Sequence, residues 1–174
     1  MEGLGDERAV PCDGFHRWNA GAPCPHLIQS TRQAILVYLA YERDPNWDGS
    51  YARIVDVADE APELVAIVRF EGVASARLGT PNDETLHGHP LHGKGLEMYG
   101  AHRVEGSRWL AELQAIDAVH PQHSARIWEE RHHFLLAFHD NVFECIARSF
   151  TAEVIRTTMA SACRAALEEV MRTR

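Results

Sequence analysis

Nine of the eleven histidines in this 174-residue chain fall between His87 and His139. Three of them stand within six residues, in the run Asp83-Glu84-Thr85-Leu86-His87-Gly88-His89-Pro90-Leu91-His92-Gly93-Lys94-Gly95. Imidazole changes charge near neutral pH and is a common metal ligand, so this crowding marks a candidate centre of chemistry. Neutral His87, His89 and His92 could ligate a divalent metal. Asp83 could be a fourth ligand, and Asp83 or Glu84 could orient a ring. The glycines let the backbone bend close to a bound group, and Pro90 stiffens the bend.

The string His87-Gly88-His89-Pro90-Leu91-His92 resembles the His-x-His-x-Asp-His signature of the metallo-β-lactamase superfamily. The resemblance covers about ten of the 174 residues, and Leu91 stands where that family carries an aspartate ligand of its second metal. The family's layered αββα strand pattern does not surround it. What the resemblance implies is a one-metal hydrolase with His87, His89 and His92 as ligands. The same segment fits a second chemistry. Gly88 to Lys94 follows the Gly-x4-Gly-Lys spacing of a phosphate loop, but Gly95 replaces the hydroxyl residue that would hold magnesium. Without a strand before it and a long helix after it, the expectation reduces to a looser anion or cofactor site at Gly93, Lys94 and Gly95. The competing reading is a structured surface loop whose histidines are spacers and hydrogen-bond partners.

A second constellation gathers around the last strand pair: His132, His133, His139, Asp140 and Glu144. Alternation along a strand puts His133 and His139 on one face with Leu135 and Ala137, and His132 on the other. A carboxylate beside an imidazole fixes its tautomer and raises its basicity, which is how a general base is set up. His139 with Asp140, together with His89, are therefore the catalytic candidates. The plainer alternative is that Asp140 closes a turn through backbone amides.

The elements that must hold these groups follow from composition and periodicity. A hydrophobic fraction of 45% with 24% charged residues is that of a single globular domain. Net charge of −8, with no basic run, argues against nucleic acid as the main partner. The longest strongly apolar run, Ala34 to Tyr41, is too short to span a membrane, and the opening residues show no secretory pattern, so a cytoplasmic protein is expected. Cys12, Cys24, Cys145 and Cys163 then read as reduced thiols. Cys12, His16, Cys24 and His26 match no common zinc spacing.

Residues 1–30 are rich in Gly and Pro without periodicity and read as an irregular arm, with one domain over 31–174. Residues 33–42 and Tyr51 to Val57 are strand-like, although the first run is also compatible with a helix. Leu64 to Phe70 and Val73 to Leu78 flank Glu71-Gly72 and suggest a hairpin. His133 to His139 and Phe143 to Val154 flank Asp140-Asn141 and suggest another. Ser107 caps a helix over about 107–120. A continuous apolar stripe from Met159 to Met171 predicts a helix over about 158–172, with Glu168 and Arg172 paired on its wet side. The expected fold is α+β, a largely antiparallel sheet of five to seven strands with two main helices on one face.

Three functions compete on these grounds. A small-molecule-binding domain or small enzyme would use the 83–96 loop as one wall of a cleft and His139 with Asp140 as another. An interaction module would pair through a sheet edge or the last helix, with a homodimer as one form. A mononuclear metallohydrolase would need a divalent metal at His87, His89 and His92. The first is favoured, because convergent polar groups occur only in this region.

Overall fold

A computed structural model of the protein describes residues 6–43, 45, 46, 48 and 60–172. The strand-like run Tyr51 to Val57, and Trp47 with the rest of its turn, fall wholly or partly outside them. The fold is α+β. Nine strands form two antiparallel sheets among the described residues: β1 (Arg8–Pro11), β2 (His26–Gln29), β3 (Gln33–Leu39), β4 (Glu63–Glu71), β5 (Ser75–Gly79), β6 (Ala101–Glu105), β7 (His132–Ala137), β8 (Val142–Ala147) and β9 (Ser149–Thr157). Three α-helices accompany them: α1 (Arg108–Asp117), α2 (Ala125–Glu129) and α3 (Met159–Arg172). One sheet runs β1-β6-β7-β8-β5, the other β2-β3-β4-β9.

Two strands are each broken at a corner and serve both sheets. β4 pairs with β9 and β5 with β8, so the same two stretches of chain face each other before and after the bend. Backbone bonds from Ala74 to Ile146 (2.8 Å) and from Arg148 to Glu71 (2.9 Å) carry the pairing around it. Glu71-Gly72 is therefore a corner and not the expected hairpin, since β4 already has β3 on one side and β9 on the other. Gly72 has φ of +63°, and a Cβ there would press on the Arg148 Cβ at 3.1 Å. Strands that pass from one packed sheet to another need such a bend. This division, with short β1, β2 and β6, raises the strand count above the five to seven expected. β1 and β2 arise within the Gly/Pro-rich opening residues, and their four-residue lengths leave no periodicity to detect.

The apolar run of β3 is buried on both faces, which is why it does not alternate. Ala34, Leu36 and Tyr38 enter the core between the sheets, with Phe70 of β4, Phe134 and Leu136 of β7 and Phe143 of β8. Phe15 stacks on Phe150 there at 4.0 Å between centroids, so the N-terminal arm contributes to the core. Ile35, Val37 and Leu39 face the other way, with Val65 and Ile67, and are covered by α3 through Met159, Ala162, Ala166 and Val170. Leu167 and Met171, on the predicted stripe, are exposed. Arg172 donates to the Glu168 carbonyl (3.2 Å) rather than to its carboxylate.

The outer face of the five-stranded sheet carries the functional candidates. Ala9, Val104, Leu135, Ala137 and Val142 make it apolar, and Leu86 and Leu91 of the histidine-rich segment cover it. Helices thus pack on opposite sides of the molecule: α3 on the smaller sheet, and α1 on the larger, where the Trp109 ring edge meets the ring of His133 at 5.3 Å.

Candidate functional site

Ser107 ends the turn after β6 and caps α1, as its position before an apolar periodicity predicts. Its Oγ accepts from the Leu110 amide at 3.1 Å, and its hydroxyl lies 2.8 Å from His133 Nδ1. His133 projects from β7 on the same face as Leu135 and is only 2% exposed. Its other nitrogen, Nε2, is 3.2 Å from Glu144 Oε1. The carboxylate lies off the direction of the ring nitrogen, so Nε2 has no aligned hydrogen-bond partner. A buried polar atom left in that state asks for an explanation, since such groups are nearly always satisfied.

Glu144, on β8, lies directly across from Arg77 of β5 in the strand register. Arg77 Nε donates to Glu144 Oε2 at 2.5 Å, and the guanidinium stacks over the Trp109 ring at 4.4 Å. Burial would push the Glu144 carboxyl up. The His133 ring beside it and the hydrogen bond and charge of Arg77 outweigh that and hold it at about 2. The result is a carboxylate kept ionised on a sheet face that it shares with Arg77, His102 and His133 as well as with apolar side chains.

His89 comes to this group from the histidine-rich segment. Its Nδ1 accepts from the Leu91 amide at 3.2 Å, which leaves Nε2 as the nitrogen available to a ligand. Burial lowers its pKa; Glu144 pulls it up, and Arg77 and His133 push it down. Two adjoining hollows, of about 280 and 610 Å³, share Arg77, His89, Pro90 and Glu144. His133 and Trp109 line the smaller, and Thr85 and Gly88 the larger.

The other candidates are placed elsewhere. His139 is held between two carboxylates, Nδ1 at 2.8 Å from Asp140 and Nε2 at 3.6 Å from Asp83. The hydrogen bond to Asp140 raises its pKa, with further support from the charge of Asp83. Asp83 also accepts from Tyr99 Oη at 2.6 Å, which pushes that phenol up to about 12. This second cluster sits at the β7–β8 turn, and none of its four residues lines the Arg77 hollows. His87 and His92 are exposed. Among the described residues no group of three or more His, Cys, Asp or Glu side chains is arranged to hold a metal, and His87, His89, His92 and Asp83 are not gathered around one point.

Gly93, Lys94 and Gly95 have a structural use. The Lys94 carbonyl accepts from the Ala9 amide at 2.8 Å, and Gly95, at φ +90°, lies so close to β1 that a Cβ would overlap the Ala9 carbonyl oxygen. The close approach made by this glycine is to the protein's own strand. Gly93, at φ +74°, faces open space. Cys145 is buried, and burial raises its thiol pKa well above the ordinary value.

Of the residues around the Arg77 hollows, sequence reasoning singled out His89 as a candidate and named His133 and Glu144 only as neighbours of His139; it did not point to Arg77 or to a role for Ser107 beyond the helix cap. Arg77 joins only through the β5–β8 register, and the serine next to His133 only through the β6–β7 pairing. Compared with protein-family models, with curated proteins and with solved structures, the chain matches none.

Proposed function

We propose that the protein binds a small polar ligand bearing an acidic group in the cleft between the His89 turn and the β5–β8 strands. The observation that carries this reading is Arg77. Its Nε is used on Glu144 and its plane is braced by Trp109, so the fork is held in place while its terminal nitrogens remain free of partners among the described residues. A planar guanidinium in that state suits a carboxylate or phosphate oxygen pair. His89 Nε2, across the opening, and Glu144 Oε1, deeper in, supply further hydrogen-bonding sites that would orient the rest of the molecule. Most pockets for small ligands have this character, an apolar wall with a few fixed polar groups.

The test is a thermal-shift and calorimetric titration with acetate, succinate, benzoate and inorganic phosphate. At least one should raise the melting temperature in a saturable way. Arg77→Ala should weaken that binding about tenfold or more, the loss of one charge-assisted anchor, while leaving the far-ultraviolet circular dichroism unchanged. No saturable shift with any of the four, or a shift insensitive to R77A, contradicts the reading.

A further inference from the structure

We propose that Ser107, His133 and Glu144 form a nucleophile–base–acid relay that hydrolyses small esters. Three residues from separate parts of the chain follow one another in the order such chemistry needs: the Ser107 hydroxyl is 2.8 Å from Nδ1, and the Glu144 carboxylate is 3.2 Å from Nε2 but off the direction of that nitrogen. The Leu110 amide occupies one lone pair of Ser107 Oγ and leaves the hydroxyl proton able to point at His133. The relay uses the ring tautomer whose proton is on Nε2, beside Glu144, with Nδ1 as the acceptor. A serine is a weak nucleophile until an adjacent base takes its proton, and the base works best when a third group steadies the resulting cation. A helix cap alone would explain Ser107. It leaves unexplained a histidine that is 2% exposed, has an unaligned Nε2 and touches an ionised carboxylate.

Ser107, although only 8% exposed, lines a hollow of about 500 Å³ together with Leu110, Ala111, Arg131, His132 and His133. Leu110 and Ala111 offer an apolar seat for a short acyl chain. Of the first-turn amides of α1, Arg108 donates to Glu7 (2.9 Å) and Leu110 to Ser107, which leaves the Trp109 amide without a partner among the described residues. Ser107 Oγ forms a bond to the ester carbonyl carbon as its proton passes to Nδ1, with Glu144 stabilising the imidazolium. The bond to the leaving oxygen then breaks, and that oxygen takes the Nδ1 proton and departs as an alcohol. Water attacks the acyl-serine and gives a proton to Nδ1, and the proton returns to Oγ as the carboxylic acid leaves. No metal or redox partner is required. The inference does not depend on a ligand at Arg77, because Arg77 does not line the Ser107 hollow.

The experiment treats the intact protein with a fluorophosphonate and locates the adduct by peptide mass spectrometry, alongside turnover of p-nitrophenyl acetate. Wild type should carry the adduct on Ser107. Ser107→Asn, which can still cap α1, should remain folded and lose both adduct and turnover. Glu144→Gln and His133→Gln should slow labelling about 100-fold, the usual contribution of a general base. Should H133Q not fold, E144Q decides alone. An unlabelled wild-type Ser107, an adduct confined to another residue, or labelling undiminished in E144Q overturns the proposal. A thermal-shift response to carboxylates with no Ser107 adduct would leave the cleft reading standing and remove only this one.

Discussion

At the scale of single residues, histidine burial divides into two opposing groups. His102 is 1% exposed, and burial lowers its pKa, as it does for His89 and His132. Its Nε2 accepts from the Glu97 amide at 3.2 Å, a bond that requires the unprotonated nitrogen. The folded state therefore resists taking a proton that the unfolded chain accepts below about pH 6.5. These three histidines leave stability intact above that pH and drain it as pH falls. His139 acts in the opposite sense. Its pKa is raised by Asp140 and Asp83, so its contribution is present below about pH 6.5 and fades as pH rises through its folded value. It is 41% exposed at the side chain and screened by water, so the buried three should dominate. Urea unfolding should show lower stability at about pH 5.5 than at about pH 7.5, with a shallower pH slope in His102→Gln. A slope that H102Q leaves unaltered would show that His102 does not set it. The sequence marked the histidines as special but could not distinguish these environments. His102, His133 and His139 look alike until the strand register decides which receives the Glu97 amide, which faces Glu144 and which reaches the turn.

At the scale of elements, the histidine-rich segment is a cover for the sheet that also brings His89 to the edge of the Arg77 hollows. Asn82 caps its first turn by accepting from the Thr85 amide at 3.1 Å, and Leu86 and Leu91 plug it onto the apolar face. Gly95 closes it against β1. A methyl group there must displace the Ala9 carbonyl or abandon the left-handed φ, so Gly95→Ala should cost about 2–4 kcal/mol. Gly93→Ala has the same backbone strain with open space around it and should cost about 1–2 kcal/mol. Denaturant midpoints of the two variants check this, and equal losses would mean that the approach to β1 is not tight. The elements themselves were largely legible. Both main helices lie within the spans expected from capping and apolar spacing, and the β7–β8 hairpin forms where Asp140-Asn141 signals a turn. The Glu71-Gly72 corner was read as a hairpin because a glycine turn between two apolar runs is the local signature of both. Only the availability of β3 and β9 as partners separates them.

At the scale of the whole molecule, the opening residues hold the two sheets together. β1 pairs with β6 in the larger sheet, Trp18 bridges Ala40 beyond β3 of the smaller, and the Phe15 ring lies between. Tyr38 Oη donates to the His16 carbonyl at 2.7 Å from inside the core. Deleting residues 1–20 should therefore leave a chain that no longer unfolds cooperatively. Trp18→Ala, at 7% exposure, should cost about 3–5 kcal/mol. Calorimetric melting checks both, and a truncated chain with an unchanged transition would refute the structural role of the arm. No helix among the described residues is long and apolar enough to cross a membrane. Apolar spacing, caps and turn residues, all local properties, determined that this chain is α+β and where its two long helices lie. Partnership was decided only by the tertiary structure. Arg77 meets Glu144, Ser107 meets His133 and Gly95 meets Ala9 through antiparallel register and sheet-to-sheet bending, which depend on contacts between residues far apart in the chain and leave no periodic trace within it.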